Sequence, residues 1–483
     1  MKLLNGPQQP LSWWKSFLFA ALAVVCFHLA YAPLQQPAFG FFIFGYAIFL
    51  VQLTNQKTVR RAFYFGLAVG VLCVAPQLNC FWEIFSAAAI VLWLIMAFWI
   101  GLFAAIVCAC IRRRGKVRVM WLVPFVWTGL EYFRSELYYL KFSWLNVGYA
   151  LPAQLSGFGL YHLGMYGSGF FVFGISAAYH YRQLILARLL KKPSWLEIII
   201  ILVLLWSLAE LFLPALAETK SSFRIPISVA GIQLEFPNEG IIPKALDKVV
   251  TKHPDAQLLV LSEYTLDGPV PESLKQWCRD HSRYLIVGGK DPATNGNFHD
   301  TAFVVGTNGE VVFKQAKSVP IQFFKDGLPA QKQEVWDSPW GKIGICICYD
   351  LSYSRVTDRL LRQGAQLLIV PTMDVEDWGR HEHELHALVA PVRAAEYGIP
   401  IFRLASSGIS QAVSWDGRIV AQASFPGSAD ILSAQLRLPM RGSLPLDRFL
   451  APFCVMVVVA VLILLMAILF RENHPKARNG SSK

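Results

Sequence analysis

Apolar residues run almost unbroken through much of the first 217 positions and again over 449–470, interrupted only by short polar loops. Runs of that length suit helices that cross a hydrocarbon layer, because a helix bonds every backbone N–H and C=O within its own segment. The pattern predicts about eight spans, near 16–31, 38–53, 62–76, 86–110, 120–133, 159–179, 195–217 and 449–470. The fifth is short and carries Glu131 near its end, with Arg134 one turn on. Charges at that depth are costly, so the two either clamp the segment by pairing or meet lipid headgroups. Between the last two spans the periodicity changes. "IPISVAGIQL" reads as a strand, "PKALDKVVTKH" as an amphipathic helix and "AQLLVLSEYTL" as a buried strand. "RYLIVGGK", a hairpin turning at 307–309 and "GKIGICICYD" follow as strands, then a helix at "RVTDRLLRQG" and the strand "AQLLIVPT". Strands alternating with helices across short connections predict an α/β sandwich of helix-covered sheets. The expected organisation is a seven-span membrane domain over 1–217, a polar domain over 218–447, an eighth span over 448–470 and a tail over 471–483.

Composition agrees with that division. The 483 residues are 55% hydrophobic and only 16% charged, with a mean hydropathy of +0.43, values outside the soluble range. The formal net charge of +12 first raises nucleic acid as a partner. Its distribution argues otherwise, because the basic residues gather in alternate loops. Lys2 and Lys15 precede the first span, Lys57, Arg60 and Arg61 follow the second, "RRRGKVR" follows the fourth, and Arg182, Arg188, Lys191 and Lys192 follow the sixth. Arg471 and Lys476 come after the last. Lys and Arg near span ends are retained on the cytoplasmic side, and eight spans bring all these clusters to that side. The polar domain then lies outside the cytoplasm, and nucleic acid is not an expected partner. Ala30-Tyr31-Ala32 has the small-residue form of a leader cleavage site, but Pro33 follows and the apolar pattern resumes, so it reads as retained.

Of nine cysteines, Cys278, Cys346 and Cys348 belong to the polar domain. Cys346 and Cys348, two apart on one strand, share a face in a geometry poor for a mutual disulfide. Three is also an odd number, so a thiol stays free in an oxidising compartment. Cys348, Glu263 and Lys317 each stand at the end of an expected strand, where side chains converge in open α/β folds. A thiol nucleophile needs a base, a cation for the developing oxyanion and a pocket that keeps both near working pKa; these residues supply the three roles. A core cysteine is the plainer reading of Cys348, and it suits Cys346 better. "HEHELH", over 381–386, forms no His-Glu-x-x-His in either register. A polar helix face or a substrate-orienting His386 accounts for it, and no metal is expected.

The region 225–438 resembles the carbon–nitrogen hydrolase (nitrilase) superfamily. "ICYD" at 347–350 is similar to its nucleophile motif, and Glu263, Lys317 and Cys348 to its Glu-Lys-Cys triad. His386, the "RAAE" of 393–396 and "SSGIS" before "WDGRI" are similar to its later blocks. In the membrane part, "WTGLEYFRSELYYLKFSWLNVGYALPAQ" resembles a block of the apolipoprotein N-acyltransferase family, whose layout is eight spans with a nitrilase-type αββα domain before the last. The resemblance implies acyl transfer from a phospholipid donor through a Cys348 thioester to the α-amine of a diacylglyceryl-cysteine lipoprotein. Glu263 would be the general base and Lys317 the cation, with Tyr349, Asp350, His386, Arg393 and Glu396 binding or supporting. It further implies a multi-pass inner-membrane protein with its catalytic domain on the periplasmic side, working as a monomer without cofactor or metal. The chain departs from the family after the lysine, where "VPIQFFKDG" stands for Pro-Phe-Gly-Glu and only Asp326 offers a nearby carboxylate. Counting back from Pro320 puts Gln315 in the lysine's place, and Lys314 is a third choice. "PTMDVEDWG" replaces the block that usually follows the nucleophile. An amidase or another amine acyltransferase with the same triad, or a degenerate lipoprotein binder, are the other readings.

Overall fold

The computed structural model describes residues 9–32, 37–189, 226–423, 425–427 and 429–473. The span expected at 195–217 and the domain boundary at 217/218 lie outside the described residues. Among those residues, four helices are long and apolar enough to cross a membrane: Trp13–Ala30, Val59–Gln77, Ala88–Arg114 and the helix beginning at Asp447. Ser12 and Thr58 cap the first two by accepting from the N–H groups of Lys15 and Arg61. The helix Phe42–Leu53 is apolar but shorter.

Two expected spans are not simple helices. The segment expected at 120–133 is a 3₁₀ turn, the helix Val123–Tyr132 and a π-turn over Phe133–Leu137. Its charges turn inward. Glu131 accepts from the Val147 N–H at 2.9 Å, Arg134 donates to Asn146, and together they hold the segment after 142 against the bundle. The segment expected at 159–179 lies within Ala153–Leu189, which breaks at Gly164 (φ +78°). A Cβ there would fall 2.2 Å from the Asp447 carboxylate, whose Oδ2 accepts from Tyr166 N at 2.9 Å and so caps the resumed helix.

The polar domain holds two six-stranded sheets. The first contains β1 (Ile227–Ile232), β2 (Leu258–Val260), β3 (Tyr284–Pro292), β4 (Phe298–Val305) and β5 (Val311–Ala316). The second contains β6 (Val335–Ser338), β7 (Gly341–Ile345), β8 (Leu367–Thr372), β9 (Ile401–Ala405), β10 (Ser410–Val413) and β11 (Ile419–Ala423). β12 (Ile431–Leu436) returns to pair antiparallel with β1. Each sheet is parallel at its centre, β1-β2-β3 and β7-β8-β9, and its central strands are buried on both faces as that arrangement requires. Val229, Val260 and Ile286 face Ile345, Ile369 and Phe402 between the sheets. The helices Ile242–Lys252 and Glu272–His281 cover the outside of the first sheet. Ser354–Arg362 and Val389–Tyr397 cover the second, and their outer faces share one apolar core with the membrane helices. The expected αββα sandwich is therefore present, with one helical layer resting on the bundle.

Candidate active site

Three loops, at the C-terminal ends of the central strands β2 and β7 and of the edge strand β5, meet where the sheets approach the bundle. Glu263 lies just past β2, packed against β3 so closely that a Cβ on Gly288 would fall 2.5 Å from the Glu263 Cα. Lys317 directly follows β5, its N–H donating to the Asp300 carbonyl at 2.8 Å. Its Nζ lies 2.7 Å from Glu263 Oε1, 2.8 Å from Asp326 Oδ2 and 3.6 Å from Asp300 Oδ2, with all four side chains buried. The lysine at the convergence is thus Lys317. Gln315 instead bonds the Lys332 carbonyl and Gln333, and Lys314 pairs with Asp291 at the surface. Asp326, the nearest carboxylate that "VPIQFFKDG" offers, is brought to the lysine and is fixed by the Tyr264 hydroxyl at 2.8 Å and the Ile321 N–H at 2.6 Å.

Cys348 opens the turn after β7 with φ +49°, a left-handed conformation unusual for a side-chain-bearing residue. The ladder ends at Ile345, and this elbow breaks the alternation that would place both cysteines on one face. Cys346 packs toward the helices and Cys348 toward the space between the sheets. The elbow is tied on both sides. Asp350 accepts from Ser318 N (2.9 Å), Val319 N (2.7 Å) and Ile347 N (3.3 Å), joining the lysine loop to the cysteine loop. Burial raises the Asp350 carboxyl to about 6, against those hydrogen bonds. Arg393 donates to the carbonyls of Leu351 (3.1 Å) and Ser352 (2.8 Å) and is itself paired with Glu396.

The electrostatics divide the protons unequally. Burial pushes the Cys348 thiol well up, and the Glu263 charge adds to it, so the resting sulfur carries its proton. Burial also works against ionising Glu263, but the Lys317 ammonium and the Met373 N–H (2.7 Å to Oε2) hold it below its usual range. Burial opposes the charge on Lys317 too, and Glu263 and Asp326 keep it protonated far above the ordinary lysine value. Asp300 is left with the proton, raised by burial and by Glu263. An ionised base thus stands beside a cation, next to a protonated thiol.

In front of Cys348 is an apolar chamber. Phe81 of the short helix Cys80–Phe85 and Leu92, Ile95 and Met96 of the membrane helix Ala88–Arg114 form one wall, and Trp144, Tyr349 and the loop Val319 to Phe324 form the other. Phe323 and Phe324 are exposed at its rim and touch Phe85. His386 also lines it, with its ring stacked on Trp144 at 4.5 Å. Tyr349 donates to the Lys141 carbonyl at 3.0 Å. Glu396 lies farther away, in the network beneath the elbow that joins Arg393 to Arg448.

Two residues that the sequence did not mark are also here. Asp300 sits beside Thr301, which pairs with Ala316 in the β4–β5 hairpin, so the register of that hairpin was the available signal. Asp374, within the altered "PTMDVEDWG", bonds His386 Nδ1 at 2.8 Å and pairs with Arg403. His383, next to it, is buried rather than on a solvated face. Burial works against its charge, but Asp374 and Glu382 push it up to about 9.

Both halves of the chain match known families: residues 225–445 match the carbon–nitrogen hydrolase model, and residues 23–178 match the model of the apolipoprotein N-acyltransferase N-terminal domain. By its sheets and that match, the polar domain is a carbon–nitrogen hydrolase domain. The chain is 22% identical over 481 residues to the apolipoprotein N-acyltransferase of Geobacter metallireducens, covering 88% of this chain and 90% of that protein. It is 22% identical over 450 residues to that of Pasteurella multocida, covering 82% and 84%. An omega-amidase of Xenopus laevis is 30% identical over 203 residues, 38% of this chain and 73% of that protein. With both family models in this order and relatives matched over most of its length, the chain belongs to the apolipoprotein N-acyltransferase family.

Proposed function

We propose that this protein moves an acyl chain from a membrane phospholipid to the α-amine of a diacylglyceryl-cysteine lipoprotein. The observation that carries the reading is the chamber before Cys348, whose walls include side chains of the membrane helices. An amidase of small polar substrates needs a site open to water. A donor whose ester carbonyl lies at the edge of a bilayer needs an apolar slot at that depth.

The chemistry follows from the resting protonation states. Cys348 Sγ attacks the ester carbonyl as its proton passes to Glu263, and the Lys317 ammonium stabilises the tetrahedral oxyanion together with a backbone N–H near Tyr349. The C–O bond breaks, Glu263 returns the proton to the glycerol oxygen, and lysophospholipid leaves a thioester behind. The lipoprotein amine then attacks that carbonyl, the C–N bond forms, the C–S bond breaks, and a proton from nitrogen returns through Glu263 to the thiol. Asp350 and Arg393 hold the elbow, and Asp326 holds the lysine. Eight spans, with 218–447 on the periplasmic face of the inner membrane and the basic loops in the cytoplasm, complete the proposed arrangement, and the protein acts as a monomer.

The test is a chain-transfer assay in detergent with acyl-labelled phospholipid and a diacylglyceryl-cysteine peptide. N-acyl peptide and lysophospholipid in equal amounts are expected. Release of ammonia from small amides, with no acylated peptide, would transfer the assignment to an amidase.

A further inference from the structure

Acylating an α-amine releases two protons from nitrogen, and the thiol needs only one of them. An α-amine has a pKa of about 8, so the acceptor arrives largely as ammonium. It must lose a proton before it can attack, and a second as the C–N bond forms. Glu263 can carry one, because one of its oxygens is held by Lys317 and the other by the Met373 N–H. The proton it takes goes back to Cys348. The other has no acceptor in the Glu-Lys-Cys set.

His386 stands where that acceptor is needed. A ring nitrogen of His386, a carboxylate oxygen of Asp374 and the Cys348 Sγ lie within 4.8 Å of one another. Nδ1 meets Asp374 Oδ1 at 2.8 Å, while Nε2 is buried without a hydrogen-bond partner. Arg403 pairs with the other Asp374 oxygen, and the Asp374 N–H donates to the Ser406 hydroxyl at 3.1 Å. An ionised Asp374 fixes the tautomer with hydrogen on Nδ1 and a lone pair on Nε2. The ring is stacked 20° from the plane of Trp144, whose Nε1 is anchored to the Ser352 hydroxyl at 3.0 Å. Among the described residues Glu382 Oε1 also lies 3.9 Å from Nδ1, and His383 Nδ1 lies 3.8 Å from the Asp374 oxygen that Arg403 holds.

We propose that His386, oriented by Asp374, is a second base of the acyl-transfer site and takes the ammonium proton of the acceptor in the second half-reaction. The balance is then complete: one nitrogen proton passes through Glu263 to the Cys348 sulfur, the other passes to His386 Nε2 and on to water. This role rests on the acyl-transfer reading above, and it assigns His386 to deacylation and not to thioester formation.

The experiment measures the half-reactions separately in the full-length protein. Thioester formation is followed by intact mass with phospholipid alone, and discharge by adding diacylglyceryl-cysteine peptide to the preformed adduct. In His386→Gln the adduct still forms, and its discharge by the peptide slows by about tenfold near pH 7, the factor by which an amine of pKa about 8 is held as ammonium there. That deficit shrinks about tenfold per pH unit until the amine is free of its extra proton, and hydroxylamine, unprotonated at neutral pH, discharges the variant and the wild type equally. Asp374→Asn gives the same pattern in weaker form. Peptide discharge in His386→Gln at the wild-type rate overturns the proposal, as does a deficit independent of pH or equal for both nucleophiles. If wild type itself forms no adduct, it is the acyl-transfer reading that fails, whereas an intact wild-type adduct with unimpaired variants removes only the role of His386.

Discussion

Two buried charge clusters, one around Arg448 where the helices behind the second sheet meet the last span and one around Lys317 in the loops after the strands, are built for different ends. Around Arg448, each group bonds a different element: Asp358 on one helix, Glu396 and the Tyr397 hydroxyl on another, and Asp447 at the start of the last span. Glu396 also accepts from Met165 N at 3.0 Å, and Asp447 from Tyr166 N. Nearby, Glu136 accepts from the Ser354 N–H and hydroxyl, capping the helix behind the elbow. Around Lys317 the partners come from loops, and the Cys348 thiol near them lines the chamber. Buried charge alone therefore does not mark chemistry. The first cluster closes on itself and welds two domains, while the second stands beside a protonated thiol that lines the chamber.

The comparison is broken most sharply by changing one group in each cluster. Glu263→Gln lowers the rate of acyl-adduct formation by about a thousandfold, with thermal unfolding changed far less; Lys317→Ala lowers it as much but also destabilises, because Glu263 and Asp326 lose their buried cation. Arg448→Met gives the reverse, losing about 3 kcal/mol of stability because buried carboxylates are left without their cation; the rate per folded molecule is retained. If Arg448→Met lowers the rate but not the melting temperature, the two clusters are not distinct in function.

Within the Lys317 cluster, Asp326→Asn separates the two carboxylates. Asp326 holds the lysine without contacting the thiol, so the rate falls only about tenfold, by a weaker grip on the ammonium. The smallest effect is in pH. His383 is raised from 6.5 to about 9 in the folded protein, so its contribution to stability is fully present below pH 6.5 and is lost as pH rises through about 9. A melting temperature that falls across this window in wild type, and falls less in His383→Gln, is the expected outcome of a calorimetric pH series.

Much of the sheet architecture was legible because period-two and continuous apolar strands alternate with short amphipathic helices, and the thiol, acid and lysine stood at strand ends. Asp326 was visible as the nearest carboxylate that "VPIQFFKDG" offers. Other features were not legible for stated reasons. Asp300 is brought to Lys317 by hairpin register, which a local pattern does not report. Asp374 lies in a block whose composition differs from the family's, so nothing local tied it to His386. The shared face expected for Cys346 and Cys348 failed because the ladder stops at Ile345 and the elbow turns the backbone. Hydropathy could not see that 120–137 turns its charges inward, nor that a carboxylate from the distant Asp447 breaks the helix at Gly164.

The most direct measurement is intact mass of the purified protein after incubation with a phospholipid of defined chains. A gain of one acyl chain, absent in Cys348→Ser and discharged by diacylglyceryl-cysteine peptide, is the predicted result. An unchanged mass in folded wild type, or an acyl adduct that survives in Cys348→Ser, contradicts the assignment of Cys348 as the nucleophile of a lipid acyl transfer.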